Sequence, residues 1–350
     1  MSLLSAVEEP GRIMLGTIRV ARGMTQSELS KRTGISQGVL SKAESGVLLL
    51  DDERLTTLAD ALSVPVKLIV VPVSEIGSSP YVFHRKRSTL PVSKANQLRA
   101  ELDLTHLQVA GILGERAPEL RLPRLPLPED GFDSPEDIAR NVRAVLGLPE
   151  GPALPLVPAL ERAGVVVVAR PLGSTRIDAI VSWPEGRRPL VLLGDHAPAD
   201  RQRFTLAHEL AHAVMHQVPT EDQESEADRF ASELLMPASA VRAQMDGLTV
   251  PKLAKLKSEW GVSMAALLRR GRDLGGIGDA RYRALNIELS RAGYRKNEPV
   301  RVLPEVPTLL PRVIQERLSA GESVAEIARS AQMTEDEFIE MYWGGSHEHR

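Results

Sequence analysis

His208-Glu209-Leu210-Ala211-His212 reads H-E-x-x-H inside a run of helical periodicity. Residues four apart on a helix sit one above the other, so both imidazoles can reach one metal ion from the same face. Glu209 follows the first histidine directly and is placed to take a proton from a water held at that ion, as general base. The pattern predicts a zinc hydrolase acting on peptide bonds. The competing reading of these five residues alone is a surface helix with solvated histidines.

Working outward, the helix can be checked by angle. At about 100° per residue, Leu206, Leu210 and Val214 form its core side, and His208 and His212 lie roughly 40° apart on one flank. Asp200 is expected to cap the helix. His216 continues the series but drifts toward solvent, too far along the axis to share an ion with His208. It reads as a helix-end group or as support for a ligand. A histidine six residues after His212 would extend the pattern to that of the metzincins, but Val218 stands there. Pro219 ends the helix. Thr220-Glu221-Asp222-Gln223 reads as a capping box opening a second helix, with Ala227, Phe230, Ala231, Leu234 and Leu235 inward. Glu224 and Asp228 stand one turn apart at the edge of that side, and Glu226 points roughly the opposite way. Glu224 is therefore the better third ligand, and Asp228 can orient a ligand histidine. The competing reading of Glu224 is an acidic first turn favoured by the helix dipole. Two histidines, one carboxylate and one open position make a catalytic zinc set. Nitrogen and oxygen donors suit zinc and also admit manganese or iron.

Upstream of this helix, Asp133-Ser134-Pro135-Glu136 opens a helix to about Leu146, and a shorter one holds Leu156 to Ala163. Three apolar runs follow, at Val165–Val168, Asp178–Trp183 and Pro189–Leu193. Their closeness predicts a small three-stranded antiparallel sheet. An extended substrate is expected to add to its edge near Ser182 and Trp183.

The stretches R-Q-R-F-T-L-A-H-E-L-A-H-A-V-M-H, E-S-E-A-D-R-F-A-S-E-L-L-M-P and K-S-E-W-G-V-S-M-A-A-L-L-R-R resemble the ImmA/IrrE family of metallo-endopeptidases. The resemblance spans roughly residues 134 to 300. It implies zinc bound by His208, His212 and Glu224, with Glu209 as catalytic base, and a substrate among transcriptional repressors of the XRE type. Glu224 and Glu226 both lie in the matched stretch, so the choice between them rests on the angular argument.

The chain has 350 residues, a net charge of -3 and no cysteine. It is long enough for two or three compact units. The charge excludes a uniformly basic nucleic-acid coat, and the missing cysteines exclude disulfides and thiolate metal sites. The N-terminal ten residues do not read as a signal peptide, and no apolar run approaches membrane-spanning length. A cytoplasmic protein without a membrane partner is expected.

Residues 11 to 72 read as four short helices. Thr25-Gln26-Ser27-Glu28 is a capping box, Thr33-Gly34-Ile35 a tight turn, and Ser36 the cap of a helix over Gln37–Glu44 that stops at Gly46. The fourth helix turns Leu55, Leu58 and Leu62 inward. T-Q-S-E-L-S and G-I-S-Q-G-V-L-S-K-A-E-S-G resemble the lambda-repressor/Cro-like, or XRE, family of helix-turn-helix domains. The resemblance implies that Ser36, Gln37, Gly38, Ser41 and Lys42 face the major groove of an operator, with Gln26 near phosphate at a helix N-terminus. Eight basic and eight acidic residues balance over 1 to 72. That gives one copy a weak electrostatic footprint, so a homodimer on two half-sites is expected. A protein-binding helical bundle is the competing reading.

Gly77-Ser78-Ser79-Pro80 marks a break. Arg85-Lys86-Arg87 reads either as a solvated charge run or as a phosphate-contacting strap. A helix is expected from about Ser93 to Arg116, and the proline-rich run Leu122–Pro128 reads as a stiff extended spacer. Near the C-terminus, 323–328 and 332–335 outline a second helix-turn-helix. Its second helix opens Glu335-Asp336-Glu337, which phosphate would repel, so a helical packing or protein-contact unit is expected. His347 and His349 read as tail residues and not as ligands.

The expected architecture is multidomain and mainly α with a small α+β part. It comprises a DNA-binding helix-turn-helix bundle (1–75), a linker with a helix (76–130), a zincin-like peptidase domain (131–295) and a C-terminal helical segment (296–350). The expected function is a DNA-binding regulator with a Zn2+-dependent endopeptidase that cleaves itself or a partner XRE-type regulator. The alternative is a repressor whose zincin-like domain is a non-catalytic sensor or dimerisation module. Intact His208, Glu209 and His212 favour the enzyme, because a pure sensor has no use for the base.

Overall fold

The computed structural model describes residues 13–73, 91–127, 133–174, 177–217 and 221–344. The Gly77–Pro80 break, the Arg85-Lys86-Arg87 run, Pro128, Val218, the Pro219 stop, the Thr220 cap and the terminal histidines lie outside these residues.

The first unit is a five-helix bundle of α1 (Leu15–Ala21), α2 (Gln26–Thr33), α3 (Gln37–Glu44), α4 (Asp52–Leu62) and α5 (Val66–Ile69). The Thr25/Glu28 capping box forms as read, and Gly34, at φ 75°, makes the turn into α3. A left-handed residue at that corner favours glycine. Leu15, Ile18, Leu29, Leu40, Leu55 and Leu58 fill the bundle. Across it, Arg19 grips both oxygens of Glu44 at 2.6 and 2.8 Å, tying α1 to α3.

The 22-residue helix α6 (Val92–Leu113) then runs past two cores. Its Leu104 belongs to the bundle. Its Leu98, Leu102, Val109 and Ile112 belong to a second cluster, shared with one face of the sheet and the C-terminal helices. The expected linker helix is thus a structural member of both units.

Next come α7 (Pro135–Leu146), α8 (Leu156–Arg162), β1 (Val166–Ala169), β2 (Ala179–Ser182), β3 (Leu190–Leu193) and α9 (Ala199–Met215). They are followed by α10 (Gln223–Leu235), α11 (Ala238–Val241), α12 (Val250–Trp260), α13 (Met264–Asp273) and α14 (Asp279–Arg291). The strands are where the apolar runs placed them, but the sheet is mixed and not antiparallel. Its order is β1-β3-β2, with β1 parallel to β3 and β2 antiparallel to it. The reason is double-sided burial. All four β3 residues are buried. Val191 and Leu193 face the cluster that includes α9, and Leu190 and Leu192 face the one that includes α6. A strand apolar on both faces takes the central place, and a buried parallel pair suits a sheet covered on both sides.

The described residues close with α15 (Leu309–Ser319), α16 (Val324–Ser330), α17 (Glu335–Phe338) and a π-helical turn over Ile339–Trp343. They pack through Leu309, Val313, Ile314, Ile327 and Phe338 into the α6 side of the sheet. The acidic start of α17 meets the first bundle, where Glu337 pairs with Arg22 at 2.6 Å.

Two further readings need correction. Leu122–Leu127 has no helix or strand, but it is no free spacer. Leu122 is buried in the main core, and the Leu125 N–H donates to the Val214 carbonyl at 2.9 Å. Its leucines are apolar enough to be laid down on the domain. Asp200 does not cap α9, whose preceding residue is Pro198. Its carboxylate turns inward and pairs with the buried Lys257.

Candidate active site

Helix α9 lies against the sheet and α10 lies against α9. Leu206, Leu210 and Val214 are buried on the core side, as the angles require. Their burial turns His208 and His212 toward the N-terminal end of α10. The two Nε2 atoms lie 3.1 Å apart. The Glu224 carboxylate stands 3.8 Å from His208 Nε2 and 3.7 Å from His212 Nε2. One ligand atom from each of the three residues falls within 4.8 Å of the others.

The outer ring nitrogens are also held. His208 Nδ1 is 2.8 Å from Asp228 Oδ1. A carboxylate there accepts the Nδ1 proton and leaves the Nε2 lone pair facing the shared point. His212 Nδ1 is 2.8 Å from His216 Nδ1, and His216 Nε2 is 3.1 Å from Glu226 Oε2. The same logic runs along this chain. Glu226 accepts from His216 Nε2, His216 Nδ1 accepts from His212 Nδ1, and His212 Nε2 is left as a lone pair. Burial pulls the His216 pKa down from its ordinary value against the opposing pull of Glu226, which keeps the ring neutral for this role.

His216 therefore does not drift toward solvent, and Glu226 has a partner at the site. The expected role of His216 as support for a ligand holds, but the angular reading turned it and Glu226 away from the site because it carried the helix through His216. α9 stops at Met215, and His216 leaves it at φ -108°, ψ 74°. That non-helical backbone swings the ring back beside His212.

Whether a cation fits is decided by the donors. Two imidazole lone pairs facing each other at 3.1 Å repel unless a positive charge sits between them. Two ligand atoms about 2 Å from one ion at a tetrahedral angle lie roughly 3.3 Å apart. The imidazole spacing is close to that value, and the Glu224 oxygens, a different one nearest each ring, stand somewhat beyond it, so the residues fit a zinc-sized cation once Glu224 closes in.

Glu209 is buried on α9 and, with His208 and Glu224, lines a cleft of about 1220 Å³. The chain entering β2 meets the cleft through Ile177, Asp178 and Ala179, the last being the first residue of the strand. The expected edge near Ser182 and Trp183 lies elsewhere. Ser182 is buried and pairs with His106 at 3.1 Å, and Trp183 is covered by the Arg124 guanidinium at 4.6 Å.

In the first bundle, Ser36, Gln37, Gly38, Ser41 and Lys42 are all exposed around the start and outer face of α3. Ser36 Oγ accepts the Val39 N–H, as a helix cap does. Gln26 stands apart from them. It is half-buried, and its amide donates to Glu44 at 2.8 Å.

Comparison with known families agrees with this geometry. Residues 15–69 match the model of the helix-turn-helix family. Residues 160–271, which hold the sheet, α9 and α10, match the model of the IrrE N-terminal-like domain, a peptidase family. The chain joins an XRE-type helix-turn-helix to an ImmA/IrrE-like domain. No curated protein matches it. In this fusion the first domain is of a DNA-binding type and the second of a metallopeptidase type. Among the described residues no helix is long and apolar enough to cross a membrane.

Proposed function

We propose that the chain is a transcriptional regulator that binds operator DNA as a homodimer and carries a working zinc endopeptidase. Its substrate in this reading is its own chain or a partner XRE-type regulator. The observation that supports it most is the donor set of His208, His212 and Glu224, with both outer imidazole nitrogens held by acceptors. In this reading 1–75 bind DNA and 131–295 cut, while α6 and the helices α15 to α17 form the scaffold behind the sheet.

His208, His212 and Glu224 would hold the ion. Bound zinc supplies Lewis acidity, which polarises a carbonyl and makes a water more acidic. Glu209 takes the proton from the attacking water and later delivers it to the leaving amine. Asp228 acts through His208, and Glu226 acts through His216 on His212, each fixing a tautomer. On the DNA side, Gln37, Ser41 and Lys42 would read base edges and phosphates from the major groove, with Ser36 and Gly38 at the helix start. Gln26 would release Glu44 to meet phosphate.

The test is incubation of the purified chain with zinc and XRE-type regulators, beside a chelated control and Glu209→Gln. The expected result is zinc-dependent fragments, absent with chelator, and a variant that holds zinc yet does not cut. Failure of the zinc-loaded chain to cut itself or any regulator would reduce the domain to a sensor. Undiminished cutting by Glu209→Gln would remove that residue from the chemistry.

A further inference from the structure

The segment between α14 and α15 lines the same cleft, and no sequence reading gave it a role. Tyr294, Arg295, Lys296, Arg301 and Val302 are among its lining residues. From 298 to 308 it has neither helix nor strand. Pro299, Pro304 and Pro307 fix their own φ and hold the residues before them extended.

This strap is a built wall and not a loose connection. Glu298 sits 2.6 Å from Lys257 Nζ and accepts the Met264 N–H at 3.0 Å. Lys257 is buried and pairs on its other side with Asp200 in the first turn of α9. At the far end, Glu305 accepts the Val157 N–H at 2.6 Å and pairs with the buried Arg203, also on α9. Both ends are thus tied to the helix that carries His208 and Glu209, a few residues upstream of them. A charge buried at each anchor is costly to unpair, which fixes the strap's register against the site.

Between the anchors, 299–304 make no backbone hydrogen bond with another segment among the described residues. The N–H groups of residues 300 to 303 and the carbonyls of this run thus have no backbone partner here, which suits pairing with an extended chain. The charge on the strap is one-sided. Arg295, Lys296 and Arg301 are exposed, and no acid pairs with them among the described residues; Arg295 bonds only neutral Asn286 and Ser290. Most acids of the cleft are committed elsewhere. Asp178 is held by Arg201 and His196, Asp200 and Glu298 by Lys257, and Glu209 and Glu224 stand at the donor cluster. Asp195, in the β3–α9 connection, is the exposed exception.

We propose that residues 295–304 are a substrate-binding strap that selects extended peptides carrying acidic side chains beside the scissile bond. The strap supplies backbone pairing, and Arg295, Lys296 and Arg301 supply the selectivity. The peptide class rests on the peptidase reading, but binding to the strap does not need turnover.

The test therefore measures binding on the full chain carrying Glu209→Gln, by fluorescence anisotropy. The probes are a labelled peptide of alternating Glu and Ala and its Lys-for-Glu counterpart. The acidic peptide is expected to bind more tightly, with an affinity that falls as salt rises. Combined R295E, K296E and R301E should weaken it at least about tenfold and favour the Lys peptide, since three exposed attractions become repulsions. Reversal of the exposed Lys255, away from the cleft lining, should leave binding unchanged. Equal binding of both peptides, or a triple variant that melts normally and keeps the acidic preference, would overturn the proposal. If the triple variant melts early, R301Q alone must still reduce the preference. Zinc-dependent digestion of denatured casein by the unmutated chain is measured separately. Digestion without acidic preference sinks the strap, and acidic preference without digestion sinks the peptidase reading alone.

Discussion

Asp228 Oδ1 lies 2.8 Å from His208 Nδ1, on the side of the ring away from Glu224. Half of the Asp228 side chain is open to solvent. Its contribution is therefore to the ring's tautomer and orientation and not to packing. Removing such an acceptor lowers metal affinity by about 10–100-fold. Asp228→Ala is expected to fall in that range with an unchanged melting profile of the chelated protein. Competition against a chromophoric chelator measures it. An unchanged affinity would mean that His208 is oriented by something else.

The α6–α16 crossing gives a second expectation. At Gly111 a Cβ would press into the Ser330 carbonyl and sit 2.7 Å from the Ala331 Cα. The obstacles are backbone atoms, so neither helix can yield without moving whole. Arg317 also binds the Gly111 and Ile112 carbonyls at 2.8 and 3.1 Å, which locks the crossing. Gly111→Ala should therefore destabilise at the upper end of overpacking effects, at least about 3 kcal/mol. Urea unfolding followed by circular dichroism reads the loss. A neutral result would show that α16 is free to slide on α6.

Much of this was legible in the sequence because the signals were local. The Thr25/Glu28 box, the Ser36 cap and the Ser134 cap depend on residues three apart, and all form. The spacing that stacks His208 on His212 is equally local. The sheet was misread because strand order is decided by what covers each face, and helix α6, on the far side, is distant in sequence. The supporting role of His216 is legible, but its burial and its tie to Glu226 are not, because a single non-helical residue at the end of α9 redirects a ring. The anchors Lys257 and Arg203 were invisible for another reason. Burial of a cation is set by partners 41 and more residues away, Glu298 and Glu305 among them. No pattern around Lys257 or Arg203 announces that.

The helix-turn-helix gives a third expectation. Gln37 opens α3, is exposed, and has no side-chain hydrogen bond or ion pair among the described residues. A side chain that reads a base edge adds about 1–3 kcal/mol of discrimination, whereas phosphate contacts add affinity on any sequence. Gln37→Ala should thus weaken operator binding by up to that amount and leave non-specific binding and its salt slope nearly unchanged. A salt titration on operator and on scrambled DNA separates the two. Equal losses on both would take Gln37 out of the groove.

The last expectation concerns acid stability. His106 on α6 is buried and pairs with Ser182 on β2, and burial, helped by nearby Arg187, pushes its pKa down to about 3. In the unfolded chain the ring titrates near 6.5. Between those two values the unfolded state binds a proton that the folded state refuses. Stability then rises with pH, so the His106 penalty is absent above about pH 6.5 and grows as pH falls toward 3. One proton corresponds to a slope of about 1.4 kcal/mol per pH unit. His106→Gln keeps a polar partner for Ser182 and cannot be protonated. Urea midpoints taken between pH 7 and pH 4 should fall less steeply for this variant than for the unmodified chain. Parallel curves would mean that water reaches the ring and that α6 lifts from the sheet before acid unfolds the domain.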